Sequence, residues 1–401
     1  MKSVRWLLLS LLFAASVINF IDRQTLSILA RTIQNELGIS DIGYSNIVQL
    51  FLFAYMLAFL IAGWVTDRLG VRASMTLFIA WWSLSNMLTG LANSARALGG
   101  ARFLLGAGES GLYTVAPKIV SEWFPPKERG LAVGIYTAGA TVGATAAPPL
   151  IAWLALSYGW RSAFIATGAM GLLWLVPWLL IYRPAPKKAI PAAPVRVPAK
   201  STWRSAIGSP LVLGLLLARV ITDPVWHFVL FWFPKYLIDV QRMSLAEIGR
   251  VSWLVYLAAD VGSVAGGYVS GRLIKRGWRP VEARKWVMTA VACLIPTSAL
   301  VPHAHSHAAI IVLVAIMAMA HLTWMVTLTT MAVDIFPAEN IGTIFGIIAA
   351  GSGLGGILFT NLVGQLVTHF SYTPVFMLMS CLHPVALIVI WRVARGVGRA
   401  N

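Results

Sequence analysis

Charge is what this sequence has least of, and acid least of all. Asp, Glu, Lys and Arg make up 11% of its 401 residues, against about a quarter in ordinary soluble domains, and 14 of these charges are acidic while 31 are basic. So few charges cannot cover the surface of a soluble globule. The sequence also lacks the ten-residue alternation of apolar and polar positions that marks an outer-membrane barrel. It has two cysteines, Cys293 and Cys381, both inside apolar segments, where they imply no disulfide framework and read as small packing residues. No nucleophile–base or metal constellation is present, which makes an enzyme the least supported class. His303, His305 and His307 alternate in a short connection without carboxylate or Cys company, so neither a metal nor another cofactor is expected.

What is present is apolar length. Hydrophobic residues make up 58% of the chain, and stretches long enough to span a bilayer recur about every 30 residues. The fold class is therefore all-α integral membrane. Gly, Pro and charge divide the chain into twelve helices, read as 4–32, 43–67, 73–92, 96–121, 130–156, 160–182, 207–238, 246–271, 283–302, 307–333, 341–368 and 373–396. Lys2 and Arg5, Arg68 and Arg72, Lys127 and Arg129, the run from Arg272 to Lys285, and Arg392 to Arg399 all fall in alternate connections. By the positive-inside rule both termini are cytoplasmic, as an even number of spans requires. The formal net charge of +17 does not point to nucleic acid, because the basic residues form no single patch or helix face. Lys2 and Arg5 before an apolar run mimic a signal peptide, but Asp22 and Arg23 interrupt it and no small-residue cleavage site precedes them, so the first helix is read as retained.

The chain divides into two six-helix halves, 1–183 and 205–401, joined by a cytoplasmic linker, 184–204. Prolines 184, 186, 191, 194 and 198 deny the linker regular helix; its basic run reads first as a solvated tether, with contact to anionic membrane lipid as the alternative. An internal repeat supports the division. Glu122-Trp123-Phe124-Pro125 with Gly130, Gly134, Gly139 and Gly143 recurs, always 212 residues later, as Asp334-Ile335-Phe336-Pro337 with Gly342, Gly346, Gly351 and Gly355. Small residues at such spacing let helices approach closely. Duplicated six-helix units are one of the architectures on which secondary transporters are built.

Within the apolar runs stand residues that a bilayer makes costly. Asp22 and Arg23 interrupt the first span, where a charge at mid-membrane costs about 2.5–3.5 kcal/mol on insertion scales. Arg102, Glu109 and Tyr113 share one face of the fourth helix. Arginine stays charged and binds carboxylate through two parallel N–H bonds, which suits Arg23 or Arg102 to an anionic ligand. The competing reading is a pair of static ion pairs, Asp22 with Arg23 and Arg102 with Glu109. On the seventh helix Arg219, Asp223 and His227 lie at i, i+4 and i+8 and can form a polar ladder of their own. His321 and Asn361 are further intramembrane polar candidates, Asn361 because an amide can read hydroxyl groups. Asp260 also falls at mid-helix depth, where a polar group needs a partner.

Gly63-Trp-Val-Thr-Asp67-Arg68-Leu-Gly70-Val-Arg72 resembles the loop signature of the major facilitator superfamily, with Thr66 and Val71 departing from it. Its second-half echo keeps Gly267 and Arg272 but has Gly271 where the aspartate would stand. The resemblance implies a cytoplasmic gate formed by Asp67, Arg68, Arg72 and Arg272. Asn19-Phe-Ile-Asp-Arg23, Arg102-Phe-Leu-Leu-Gly-Ala-Gly-Glu109, Ser121-Glu-Trp-Phe-Pro125 and Trp232-Phe-Pro-Lys-Tyr-Leu237 are similar to the organic anion:cation symporters of that superfamily, which include bacterial hexuronate, galactonate and glucarate transporters. That resemblance implies substrate binding by Arg23 and Tyr55, joined here by Arg102, Tyr113, Asn361 and His321, and proton coupling by Asp22 and Glu109.

The expected function is proton-coupled import of a small organic anion, a hexuronate or aldonate, by alternating access in a bacterial inner membrane. The protein would act as a monomer, with protons as its coupling ion. One alternative is proton-antiport efflux of drugs or metabolites on the same fold, although the fifth helix lacks the Gly-Pro pattern of such antiporters. Another, from a different class, is a nutrient-sensing membrane receptor, which would normally carry an output domain or long tail.

Overall fold

A computed structural model describes residues 2–185, 206–243, 245–395 and 397, so the linker reading falls almost wholly outside the described residues, as does the side chain of Asn361. Every described element is a helix: α1 (Lys2–Ile28), α2 (Ala30–Leu37), α3 (Asp41–Gly90), α4 (Ala95–Trp123), α5 (Pro126–Tyr158) and α6 (Trp160–Ile181) come first. The second half follows with α7 (Pro210–Thr222), α8 (Pro224–His227), a π-helical turn (Phe228–Trp232), α9 (Phe233–Asp239) and α10 (Leu245–Lys275). It closes with α11 (Pro280–Ala292), a 3₁₀ segment (Ile295–His303), α12 (His307–Ile335), α13 (Ile341–His369) and α14 (Thr373–Val393).

Among the described residues nine helical stretches are long and apolar enough to cross a membrane. One of them, Ile42–Gly90, is 49 residues long and holds two crossings, because Gly70 at φ 75° and ψ 167° turns the backbone where a side chain would be strained. α4 and α10 have spanning length but interrupt their apolar runs with charges such as Arg102, Glu109 and Asp260. Together these make the twelve spans expected from the sequence.

Two segments and the two cysteines differ in detail. The run read as a helix over 4–32 is two helices, and α2 ends at Gly38 in the left-handed conformation (φ 64°). α2 is tied to the start of α6, since Glu36 pairs with Arg161 and accepts a 2.7 Å bond from Trp160 Nε1. These bonds, the Arg161 one foremost, hold the Glu36 carboxyl below its ordinary value. The seventh span is broken around Pro224 and Pro234, which remove backbone donors, and the π turn lies between them. Cys293 and Cys381, read from sequence as packing residues, are instead exposed on the protein surface, where an apolar segment can face lipid rather than protein.

The described residues fall into two compact units, one within Met1–Trp123, Tyr136–Ile190 and Ala338–Gly346, the other within Phe124–Ile135, Pro191–Pro337 and Ile347–Asn401. The start of α5 thus groups with the second half, and the start of α13 with the first. The first unit packs Ile21, Leu26, Leu29, Ile47, Ile151 and Phe164 into one apolar core. The second centres on Phe228, Phe233, Tyr236, Val314, Met317 and Phe376. Repeat glycines set the backbone distances. A Cβ at Gly143 would meet the Val17 carbonyl oxygen on α1, and one at Gly355 would meet the Val220 carbonyl oxygen on α7. In each unit a helix of the glycine repeat therefore lies directly on the helix that carries the charged pair.

Candidate functional site

The first unit gathers its intramembrane charges across helices. Arg23 leaves α1 and donates from Nε and Nη2 to Oε2 of Glu109 on α4, at 2.9 and 2.7 Å. Three aromatic rings surround the Arg23 guanidinium, Phe20 at 4.9 Å, Phe51 at 5.4 Å and Tyr55 at 4.6 Å. Their faces are attractive to a cation that lacks water. Arg102 stacks on the same Phe51 at 5.0 Å, and its Nη2 lies 3.5 Å from the Arg23 carbonyl oxygen. Arg102 is 3% exposed, and its Nε and Nη1 are buried with no hydrogen-bond partner among the described residues. Tyr113, one turn beyond Glu109, is in electrostatic reach of Tyr55, Arg23 and Glu109. Arg23, Tyr55, Arg102, Glu109 and Tyr113 therefore form one constellation.

Asp22 is in electrostatic reach of Glu109 and Arg102 but bonds to neither. Its fully buried carboxylate accepts a 2.7 Å bond from Asn86 Nδ2, and Asn86 also donates to Thr167 Oγ1 at 2.9 Å. The static pairs Asp22 with Arg23 and Arg102 with Glu109 do not occur; the acid of α4 takes the cation of α1 instead. Asn86 and Thr167 carried no motif, and their only signal in the sequence was a polar side chain inside an apolar run.

In the second unit the expected ladder is formed. Arg219 Nε donates to Asp223 Oδ2 at 2.8 Å, and His227 Nδ1 lies 3.0 Å from the Asp223 carbonyl oxygen. His321 is 1% exposed and packs parallel to Trp226, with its Nδ1 3.2 Å from Nε2 of His383. His383 was overlooked at the sequence level, although a histidine beside Pro384 inside the last span was visible there. No cluster of three or more potential metal ligands occurs among the described residues.

Of the four residues assigned to a gate, Asp67 ties α3 to the start of α13. Its carboxylate accepts from the backbone N–H groups of Gly342 (3.1 Å) and Thr343 (2.6 Å), and from Lys118 Nζ at 2.8 Å. It thus caps the start of α13, where the helix dipole favours negative charge. Arg68 lies over Trp64 at 4.5 Å, Arg72 donates to the Leu179 carbonyl at 2.8 Å, and Arg272 donates to the Tyr268 hydroxyl at 3.0 Å. Lys118, not singled out from the sequence, is the ionic partner of Asp67. The second unit has its own ionic centre. Asp334, the repeat counterpart of Glu122, takes Arg129 at 2.9 Å and Arg284 at 3.1 Å, all three buried. Arg284 also binds Ser270 and the Pro126 carbonyl.

Residues 12–360 match the family described as Major Facilitator Superfamily. The chain is 30% identical over 408 aligned positions to a hexuronate transporter of Escherichia coli (strain K12), covering 98% of this chain and 94% of that protein. It is also 30% identical over 311 positions to a galacturonate transporter of Dickeya chrysanthemi, covering 73% and 90%. Among solved structures, a proton:xylose symporter of the same superfamily superposes with a TM-score of 0.77 at 14% identity, covering 98% of this chain and 96% of that one, a likeness of fold alone.

Proposed function

The chain belongs to the Major Facilitator Superfamily, a family of transporters, and we propose that it imports a small sugar acid, a hexuronate or aldonate, together with protons by alternating access in a bacterial inner membrane. The observation that carries this reading is the Arg23 and Arg102 constellation. A buried guanidinium whose Nε and Nη1 lack partners is costly to leave empty, and a ligand carboxylate supplies the charged acceptor oxygens it needs. Phe51 and Tyr55 supply flat faces for a sugar ring, and the Tyr113 and Tyr55 hydroxyls can bond to its hydroxyl groups. The relatives' names supply the substrate class.

In the proposed cycle the substrate carboxylate binds at Arg102 and competes for Arg23. Glu109 then exchanges its guanidinium partner for a proton, so that substrate and proton enter the closed site together. Release to the cytoplasm restores the Arg23–Glu109 pair. Asp22, held by Asn86 and Thr167 behind the constellation, is the second acid that can take part in proton coupling. Asp67 with Lys118 acts as the cytoplasmic latch, because a cap on α13 can break and reform as a unit.

The experiment is uptake of labelled glucuronate, galacturonate, galactonate and glucarate into proteoliposomes under an imposed inward proton gradient. Accumulation of at least one, abolished by a protonophore, is expected. No accumulation of any, with proton-driven export of hydrophobic cations instead, would replace this reading with efflux by antiport.

A further inference from the structure

The two groups that part in the cycle above each have a neutral neighbour in place. Asn19 stands one turn before Arg23 on α1, so both side chains lie on the face that meets Glu109. Arg23 holds Glu109 Oε2 at 2.7 and 2.9 Å, whereas Glu109 Oε1 is buried with no hydrogen-bond partner among the described residues. Asn19 is 0% exposed, and its Oδ1 and Nδ2 are likewise buried and unpartnered. It acts on the Glu109 carboxyl, yet no hydrogen bond joins the two while Arg23 is in place. A buried amide idle on both atoms is rare in native interiors. An ionised carboxylate gives the amide oxygen nothing to accept, but a carboxylic acid and a primary amide are complementary. The acid O–H donates to the amide oxygen, and the amide N–H donates to the acid carbonyl.

The guanidinium is provided for as well. The rings of Phe20, Phe51 and Tyr55 stand 4.9, 5.4 and 4.6 Å from it. Close backbone approach seats two of them. A Cβ at Gly143 of α5 would lie 2.9 Å from Phe20 Cβ, and one at Gly106 of α4 would lie 3.2 Å from the Phe51 ring. Phe51 and Tyr55 stack at 5.8 Å with 13° between their planes. The π faces attract the cation and repel the carboxylate paired with it, so their attraction counts in full only once the acid is neutral. The rings therefore favour the split state over the pair, and only such a difference can shift an equilibrium. The charged and titratable groups around Glu109 and the neighbouring Tyr113 are Arg23 and Asp22 from α1, Tyr55 from α3, Arg102 from α4 itself and Tyr136 from α5.

We propose that Asn19 and the Phe20–Phe51–Tyr55 cage receive the two halves of the split pair, Asn19 taking protonated Glu109 and the rings holding Arg23 as it passes from acid to substrate. The proposal rests on the symport reading of the previous section. A proton from the outer side adds to Oε1, the oxygen that Arg23 leaves free, and the new O–H donates to Asn19 Oδ1. When Arg23 returns to Oε2 the O–H bond breaks, the proton leaves to the cytoplasmic side, and Asn19 is idle again, as it is in this structure. Asn19 and Phe20 are thus positioning residues, which act on the proton through Glu109 and Arg23.

The test uses the full chain in proteoliposomes and reads initial uptake of labelled glucuronate, galacturonate, galactonate and glucarate against outer pH. Asn19→Ala deprives the neutral acid of its partner, so more protons are needed to load it. The pH of half-maximal uptake is expected to move about 1–2 units to the acid side. Phe20→Leu removes the one cage ring not offered to the sugar and is expected to move it about 0.5–1 unit the same way. Phe20→Tyr, which keeps the π face, is expected to stay at the wild-type midpoint. A midpoint unmoved in Asn19→Ala or in Phe20→Leu, whatever happens to KM, overturns the proposal and leaves the symport reading standing. No wild-type uptake at any pH overturns the symport reading, and this proposal with it. A second measurement needs neither transport nor a folded Asn19 variant. It is the infrared C=O stretch of protonated Glu109 in lipid at acid pH, isolated as the difference between wild type and Glu109→Gln. A band at the frequency of a hydrogen-bonded acid is expected; a free-acid band, or no band, refutes the proposal.

Discussion

Arg23 and Glu109 are 86 residues apart in the chain and 2.7 Å apart in the fold. The Glu109 side chain is fully buried while that of Arg23 keeps 26% exposure, so the cation can be reached by a ligand and the acid cannot. That asymmetry fits a pair in which substrate takes one partner and a proton the other.

Arg23→Lys keeps the charge but loses the fork with which Nε and Nη2 grip one carboxylate oxygen. Loss of one charge-assisted bond in a buried site is expected to cost about 1.5–3 kcal/mol of substrate binding, a rise of roughly ten- to more than a hundredfold in the uptake KM. An unchanged KM for every sugar acid would remove Arg23 from the binding site.

Glu109→Gln removes the proton acceptor and keeps the shape. In vesicles with an imposed pH gradient, accumulation is expected to fall to simple equilibration while exchange of labelled for unlabelled substrate continues. Equal loss of accumulation and exchange would mark Glu109 as a structural partner of Arg23 rather than a coupling group.

Asp67→Ala deletes both the cap on α13 and the counter-charge of Lys118. Loss of a capping side chain typically costs about 0.5–2 kcal/mol, and Asp67→Asn, which keeps an acceptor oxygen, is expected to recover part of it. Thermal unfolding in detergent of the two variants, with Lys118→Ala as the third arm, measures the difference. An Asp67→Ala midpoint equal to the wild type would mean that the α13 start gains nothing from the carboxylate.

Asp334→Ala removes the carboxylate that pairs with the buried Arg129 and Arg284 guanidinium groups. Breaking a buried ion pair from one side costs about 3–5 kcal/mol, so this substitution is expected to be more damaging than Asp67→Ala. Yield and thermal midpoint of the purified protein report it, and an Arg129→Ala/Asp334→Ala double variant less damaged than the sum of the singles would show the coupling directly.

The sequence by itself determined which stretches cross the membrane, that they come in two repeated sets, and which polar residues lie within them. Apolar length and the cost of buried charge are local properties, so the spans around Arg23, Glu109, Arg219 and His321 were legible without coordinates. The ladder Arg219, Asp223, His227 was legible too, because an i, i+4 pair is a neighbour on any helix.

Tertiary structure alone decided the partners. Asp22 and Arg23 are adjacent in sequence, but successive helical residues point about 100° apart, so one turns to Asn86 and the other to Glu109. Arg102 and Glu109 share a helix face yet are separated by about 10 Å of rise, too far to meet, which frees Glu109 for α1. Lys118 for Asp67, Arg284 for Asp334 and His383 for His321 are likewise choices made between helices. Periodicity places a residue on a face; only the close approach of a neighbouring helix, set by residues such as Gly143 and Gly355, settles what that face meets.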